Sequence, residues 1–160
     1  MTDVPTATSP VPSVPGRFVH ECALRWSDMD AYGHVNNARF LTLYEEARVA
    51  MMFVEGRVQG RPLFTAGVVV ARHEIEYLRP VTYDTKAADR APATVRIELW
   101  PEDVRSASFA IRYELFDRGA LANRARSVLV AYDLAAERAR RLSADERAYL
   151  TAAAGGGGPA

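Results

Sequence analysis

The fold is decided by Arg25 to Arg48, RWSDMDAYGHVNNARFLTLYEEAR. This stretch leaves an alternating segment, crosses a turn dense in Asp, Gly, His and Asn, and enters a run with helical periodicity. Phe40, Leu43, Tyr44, Ala47, Ala50, Met51 and Val54 recur at helical spacing, with Arg39, Thr42 and Glu46 opposite, which is the pattern of a helix burying one face. The spacing predicts a helix over residues 37–54, with Asn36 as N-cap and Val35 and Phe40 spaced as a hydrophobic staple. Val49, Met52 and Phe53 occupy the remaining faces toward its end, so burial on more than one side is expected, as for a helix wrapped by a sheet.

Upstream, Phe18, His20, Cys22, Leu24 and Trp26 alternate with Val19, Glu21, Ala23 and Arg25, which predicts a first strand. Downstream, Val69, Ala71, His73, Ile75 and Tyr77 alternate with Val70, Arg72, Glu74 and Glu76 until Pro80 removes a ladder donor. Further alternations run through Val95, Ile97 and Leu99, then Phe109, Ile111, Tyr113 and Leu115. Asp117-Arg118-Gly119 supplies turn chemistry before a strand through Val128, Val130 and Tyr132. About five strands thus follow one long helix, and residues 84–92 read as a loop. Ser143 and Glu146 make a capping box opening a short helix through Leu150. Strand, helix, then hairpin-connected strands is the α+β pattern, a helix on one face of an antiparallel sheet. The proline-rich residues 1–16 read as a disordered leader and the glycine-rich residues 153–160 as a disordered tail, leaving one domain over 17–152.

Charge and cysteine content narrow the function classes. Twenty basic residues balance twenty acidic ones in 160, so there is no broad basic field of the kind that nucleic acid or anionic lipid requires. No segment approaches the apolar length of a membrane span or the pattern of a signal peptide. The single cysteine, Cys22, makes no internal disulfide and fits a reducing compartment. A soluble, cytoplasmic protein is expected.

The segment DMDAYGHVNNARFLTLYEEAR resembles the signature of hotdog-fold thioesterases, in particular the 4-hydroxybenzoyl-CoA thioesterase-like superfamily, whose members read D-x-D-x-x-G-H-V-N-N before an aromatic-rich helix. VVVARHEIEYLRPV, RSASFAIRYELFD and VLVAYDL extend the likeness over roughly residues 18–150. The resemblance implies a sheet of about five to six strands curled around a central helix. It also implies a homodimer or dimer of dimers with interface active sites, an acyl-CoA substrate, and no cofactor beyond the coenzyme A that is part of that substrate. The family's catalytic carboxylate falls on Asp30 and its oxyanion donor on the Asn37 amide. His34 matches a histidine of many members and of plant acyl-ACP thioesterases, but those place Asn where this chain has Tyr32. A hotdog hydratase or dehydratase, whose Asp, Asn and His spacing is not present here, and a non-catalytic acyl-binding module are the alternatives.

The chemistry suits such a place. An Asp before a helix start is positioned to act as general base toward water or as nucleophile, and the amides at a helix start favour developing negative charge. The leaving thiol has a pKa of about 8.5 and departs without much acid assistance. No Ser-His-Asp triad is then required. A metal site from Asp28, Asp30, His34 and His73 does not match a known ligand spacing, and none is expected. Asp28 reads as a solvated turn residue or a partner of Asp30, His73 as a core histidine, and Glu45 and Glu46 as solvated or paired with Arg48 or Arg39. Tyr44 lies on the buried stripe within reach of an acyl pocket. With Tyr32, it is a candidate substrate contact, and Arg72, Arg105 and Ser106 are candidates for the coenzyme A diphosphate.

Overall fold

A computed structural model of the chain describes residues 16–56, 60, 62–84 and 92–154. The expected leader apart from Gly16, the tail past Ala154 and residues 85–91 of the expected loop lie outside the described residues. The elements are β1 (Phe18–Ala23), α1 (Arg39–Val49), β2 (Val68–Tyr77), β3 (Thr94–Glu102), β4 (Ser108–Asp117), β5 (Ala120–Asp133), the two-residue β6 (Arg138–Ala139) and α2 (Ala144–Ala154). The strands form one antiparallel sheet in the order β1-β3-β4-β5-β2, with β6 pairing β5. The sheet curls around α1, which is the hotdog fold.

Alternation in the sequence becomes burial. Val95, Ile97 and Leu99 on β3, and Phe109, Ile111, Tyr113 and Leu115 on β4, face α1 and are buried. They meet Phe40, Leu43, Tyr44, Ala47 and Met51 of α1 and its continuation. Each such side chain contributes about 1.5–3 kcal/mol by leaving water. The β4–β5 hairpin closes through Arg118 and Gly119, both at positive φ (50° and 78°), as a two-residue turn matched to strand twist requires.

Helix α1 continues as a wider, π-type turn over Ala50–Glu55. The Gly56 amide closes it by donating to the Met51 carbonyl at 3.0 Å. A Cβ at Gly56 would lie 2.2 Å from the Met52 carbonyl oxygen, so only glycine fits there. Helix α2 covers this end. Ser143 and Glu146 form the expected capping box, with Glu146 N donating to Ser143 Oγ at 3.1 Å and Ser143 N to Glu146 Oε2 at 2.8 Å. The helix runs to Ala154, past the expected end at Leu150. Leu150 is fully buried, and the Tyr149 hydroxyl donates to the Met51 carbonyl at 2.6 Å.

Two expectations shift. The first strand stops at Ala23, because Asp28 Oδ2 accepts the Arg25 amide at 2.7 Å and pulls Trp26–Asp28 into a 3₁₀ turn, leaving Trp26 72% exposed. Helix α1 begins at Arg39 rather than at residue 37. Asn36 is already engaged with the loop before it, its amide donating to the Asp28 carbonyl at 2.8 Å. It still does capping work, since its Oδ1 accepts the Ala38 amide at 2.9 Å.

Candidate active site

The turn before α1 is a closed loop. A bridge between Met29 and Val35 shuts its neck, the Asp30 amide donates to the His34 carbonyl at 2.8 Å, and the Gly33 amide donates to the Asp30 carbonyl at 3.1 Å. Gly33 takes φ +78° at the tip, a conformation glycine adopts without steric cost. Asp30 Oδ1 accepts the amides of Tyr32 (2.8 Å) and His34 (3.3 Å), so the carboxylate's orientation is set by its own loop. Oδ2 has no hydrogen-bond partner among the described residues.

Beside the loop lies an open cleft of about 320 Å³ lined by Asp30, His34, Asn37, Phe40, Tyr77 and Arg79, among others. Strand β2 supplies the opposite wall. The Leu78 and Arg79 amides both donate to the Ala122 carbonyl at 2.9 Å, and the Val35 amide donates to the Val81 carbonyl at 2.7 Å. The Tyr77 hydroxyl donates to the Asn37 carbonyl at 3.0 Å and its ring meets Phe40 edge-on at 5.6 Å. Among the described residues no hydrogen bond uses the Asn37 amide, which sits two positions before the helix proper. Its freedom therefore comes from the loop-to-helix junction rather than from an unpaired first helical turn.

Asp30, His34 and Asn37 thus come together in one cleft. Other candidates do not join them. Tyr32 is 86% exposed and is not among the residues lining the cleft. Tyr44 is fully buried, its hydroxyl bonded to Asn123 Oδ1 and its ring 4.7 Å from Tyr113. Arg72 sits on the exposed edge strand, paired with Glu74. Arg105 lines a separate cavity with Asp103 and Arg126. Ser106, whose carbonyl accepts the Leu142 amide, is beside it in sequence. These two precede β4, whose far end at Leu115 faces Asn123 and hence Tyr77 across β5. Seven strand residues, roughly 23 Å, separate the two ends within one protomer.

Two further readings are corrected. Asp28 is buried rather than solvated, accepting the Arg25 amide with Arg39 3.9 Å away. His73 faces α1 but is exposed, because β2 is the sheet edge; burial and Arg48 hold its pKa below the usual histidine range, against an opposing pull from Glu45. Glu45 and Glu46 are exposed, as the solvated reading expects, and neither forms an ion pair with Arg48 or Arg39 among the described residues. No three His, Cys, Asp or Glu among those residues gather in a metal-binding group. Tyr77 and Arg79 are the cleft residues missed from sequence. Only the Pro80 stop after an alternating run marked this strand end as a place where side chains leave the sheet.

A helix wrapped by a curled sheet, with a carboxylate cleft where that helix begins, defines a thioesterase-like hotdog protein. The family model of the thioesterase-like superfamily matches residues 24–150, and the chain belongs to that superfamily. Comparison with curated sequences finds no match. Among solved structures, a candidate thioesterase from Pseudomonas aeruginosa is 31% identical, with TM-score 0.65 over 81% of this chain and 95% of its own. A thioesterase from Thermus thermophilus, complexed with coenzyme A and Zn, is 26% identical, with TM-score 0.70 over 90% of this chain and 98% of its own. A predicted thioesterase from Bacillus stearothermophilus, 22% identical, shares the fold at TM-score 0.71 over 89% of this chain and 99% of its own.

Proposed function

We propose that this protein is an acyl-CoA thioesterase, hydrolysing the thioester to free acid and coenzyme A. The observation that carries the reading is the shared cleft of Asp30 and Asn37, whose Oδ2 and amide respectively have no hydrogen-bond partner among the described residues. Superfamily membership supports thioester chemistry, and the coenzyme A complex of the Thermus structure supports a coenzyme A ester.

In the general-base route, Asp30 takes a proton as water oxygen bonds to the thioester carbon. The carbonyl oxygen becomes an oxyanion facing the Asn37 amide; collapse expels thiolate, which recovers the proton. In the nucleophilic route Asp30 bonds to that carbon itself, thiolate leaves, and water cleaves the anhydride. An oxyanion donor of this kind is worth about 3 kcal/mol in the barrier. His34 lines the cleft and orients the loop through its backbone, while Tyr77 holds the Asn37 peptide in place.

The working form is a homodimer joined along β2. This ten-residue strand lies at the sheet edge, is exposed on both faces, and carries Val69 and Val70 at 36% and 39% exposure. An edge of this length pairs readily with another chain. No helix among the described residues is long and apolar enough to cross a membrane. The lone cysteine fits a reducing, cytoplasmic site of action. Thiol release from a panel of short, long and aromatic acyl-CoAs tests the activity. Absence of release from every member would refute it.

A further inference from the structure

Strand β2 pairs with β5 so that Tyr77 faces Asn123, Ile75 faces Ala125 and His73 faces Ser127. Asn123 and Ser127 are fully buried beneath α1, and His73 Nδ1 lies 2.7 Å from Ser127 Oγ. Directly opposed residues share a face, so Tyr77, Ile75 and His73 also point to the α1 side. Yet α1 does not cover them. Tyr77 is 49% exposed, His73 is exposed and Ile75 is half-buried. The inner face of β2 is therefore the floor of an open furrow, walled by α1, that starts at the Asp30 cleft and runs to His73. Four strand residues separate Tyr77 from His73, about 13 Å.

At the far end of this furrow Arg48 acts on His73, opposed by the smaller effect of the Glu45 carboxylate. Arg48 of α1 is 9% exposed, and its guanidinium makes one long hydrogen bond, 3.3 Å to the Tyr113 hydroxyl. It has no carboxylate partner among the described residues. A guanidinium carries five N–H donors, and a buried cation with so few partners is costly unless an anion arrives. With Nδ1 engaged by Ser127, His73 keeps Nε2 for a ligand.

We propose that the furrow binds the acyl chain of the thioester and that His73 and Arg48 at its end select a chain terminating in a carboxylate. This rests on the thioesterase reading of the Asp30 cleft and narrows it to ω-carboxyacyl esters. The chain methylenes lie over Ile75 and Tyr77, and the terminal carboxylate supplies the acceptors that Arg48 lacks. A second subunit paired along β2 roofs the furrow.

The test compares octanoyl-CoA with its ω-carboxyl analogue suberoyl-CoA on the full chain, as wild type, Arg48→Met and His73→Leu. Hydrogen bonds to charged groups of this kind are worth roughly tenfold or more, so wild-type kcat/KM favours suberoyl-CoA by at least about that factor and each variant lowers the ratio. A merely structural defect lowers both substrates alike and leaves the ratio where it was. Hydrolysis of octanoyl-CoA without preference for suberoyl-CoA, or a preference surviving both variants, overturns the carboxylate subsite while the thioesterase reading stands. Dissociation of a wild-type dimer by Arg48→Met with an unmoved ratio assigns the guanidinium to the subunit interface and also overturns it. If neither ester is hydrolysed, the wider acyl-CoA panel decides the thioesterase reading. Calorimetric titration of suberate then decides the subsite, since equal binding by wild type and Arg48→Met sinks it.

Discussion

The Tyr77 hydroxyl, at the end of β2, donates to the Asn37 carbonyl at 3.0 Å, tying the far wall of the cleft to the peptide next to the Asn37 amide. Tyr77→Phe keeps the ring contact with Phe40 and removes this tie. The bond is exposed, so stability should fall by only about 0.5–1.5 kcal/mol, while kcat drops several-fold as the Asn37 amide loses its fixed aim. Steady-state kinetics beside thermal melting separates the two. An unchanged kcat would deny the tie a part in catalysis.

Asp30→Asn preserves an Oδ1 to accept the Tyr32 and His34 amides and removes the carboxylate proposed as base or nucleophile. Hydrolysis should fall by roughly 10²–10⁴ with a change in stability within about 0.5 kcal/mol. Retained hydrolysis in a folded variant would exclude Asp30 as base or nucleophile.

Replacing Val69 and Val70 together by Lys places charge on both faces of the exposed edge of β2. Lysines on an edge strand oppose pairing with another chain, so the variant should elute as a monomer where the wild type elutes as a dimer, with activity reduced in step. Light scattering after gel filtration measures it, and a variant that stays dimeric places the interface elsewhere.

Glu146 is 4% exposed, bound by Arg140 at 2.7 and 2.8 Å and by the amides of Ser143 and Phe64. Burial pushes its pKa up, but Arg140 and the two amides outweigh burial and hold it below the usual glutamate value. The folded value is the depressed one. The stabilisation is therefore complete above the ordinary value of about 4.3 and is lost as pH falls through the lower folded value. Glu146→Ala, which leaves Arg140 without its partner, should cost about 3–5 kcal/mol at neutral pH, read by urea titration. The deficit should shrink in acid.

Cys22 is 1% exposed, and burial, with smaller effects from Glu46 and Glu21, pushes its thiol up to about 12. The thiolate is the reactive form, so a disulfide reagent at pH 8 should modify the folded protein far more slowly than the unfolded protein in denaturant. Equal rates would mean the β1–α1 contact opens freely.

Much of the fold was legible because burial repeats with the period of the element. The helix stripe from Phe40 to Met51 and the alternations on β3 and β4 mark core faces whatever the topology. Strand β2 misled for a related reason. Its alternation names an inner face but not whether a helix covers it, and His73 stands open because the sheet ends there. Arg105 and Ser106 were placed by likeness alone. The antiparallel order puts them at the opposite end of β4 from the cleft.

The sequence alone determined the α+β class, the wrapped helix, the capping box at Ser143 and the loop that holds Asp30, because periodicity, turn chemistry and local hydrogen bonds act between residues near each other in the chain. The tertiary structure alone decided that Tyr77 and Arg79 complete the cleft, that Tyr44 bonds Asn123 instead of lining it, and that Arg48 is buried with no acid paired to it among the described residues. Those relationships join residues dozens of positions apart, and strand order, register and the exposed edge of the sheet create them.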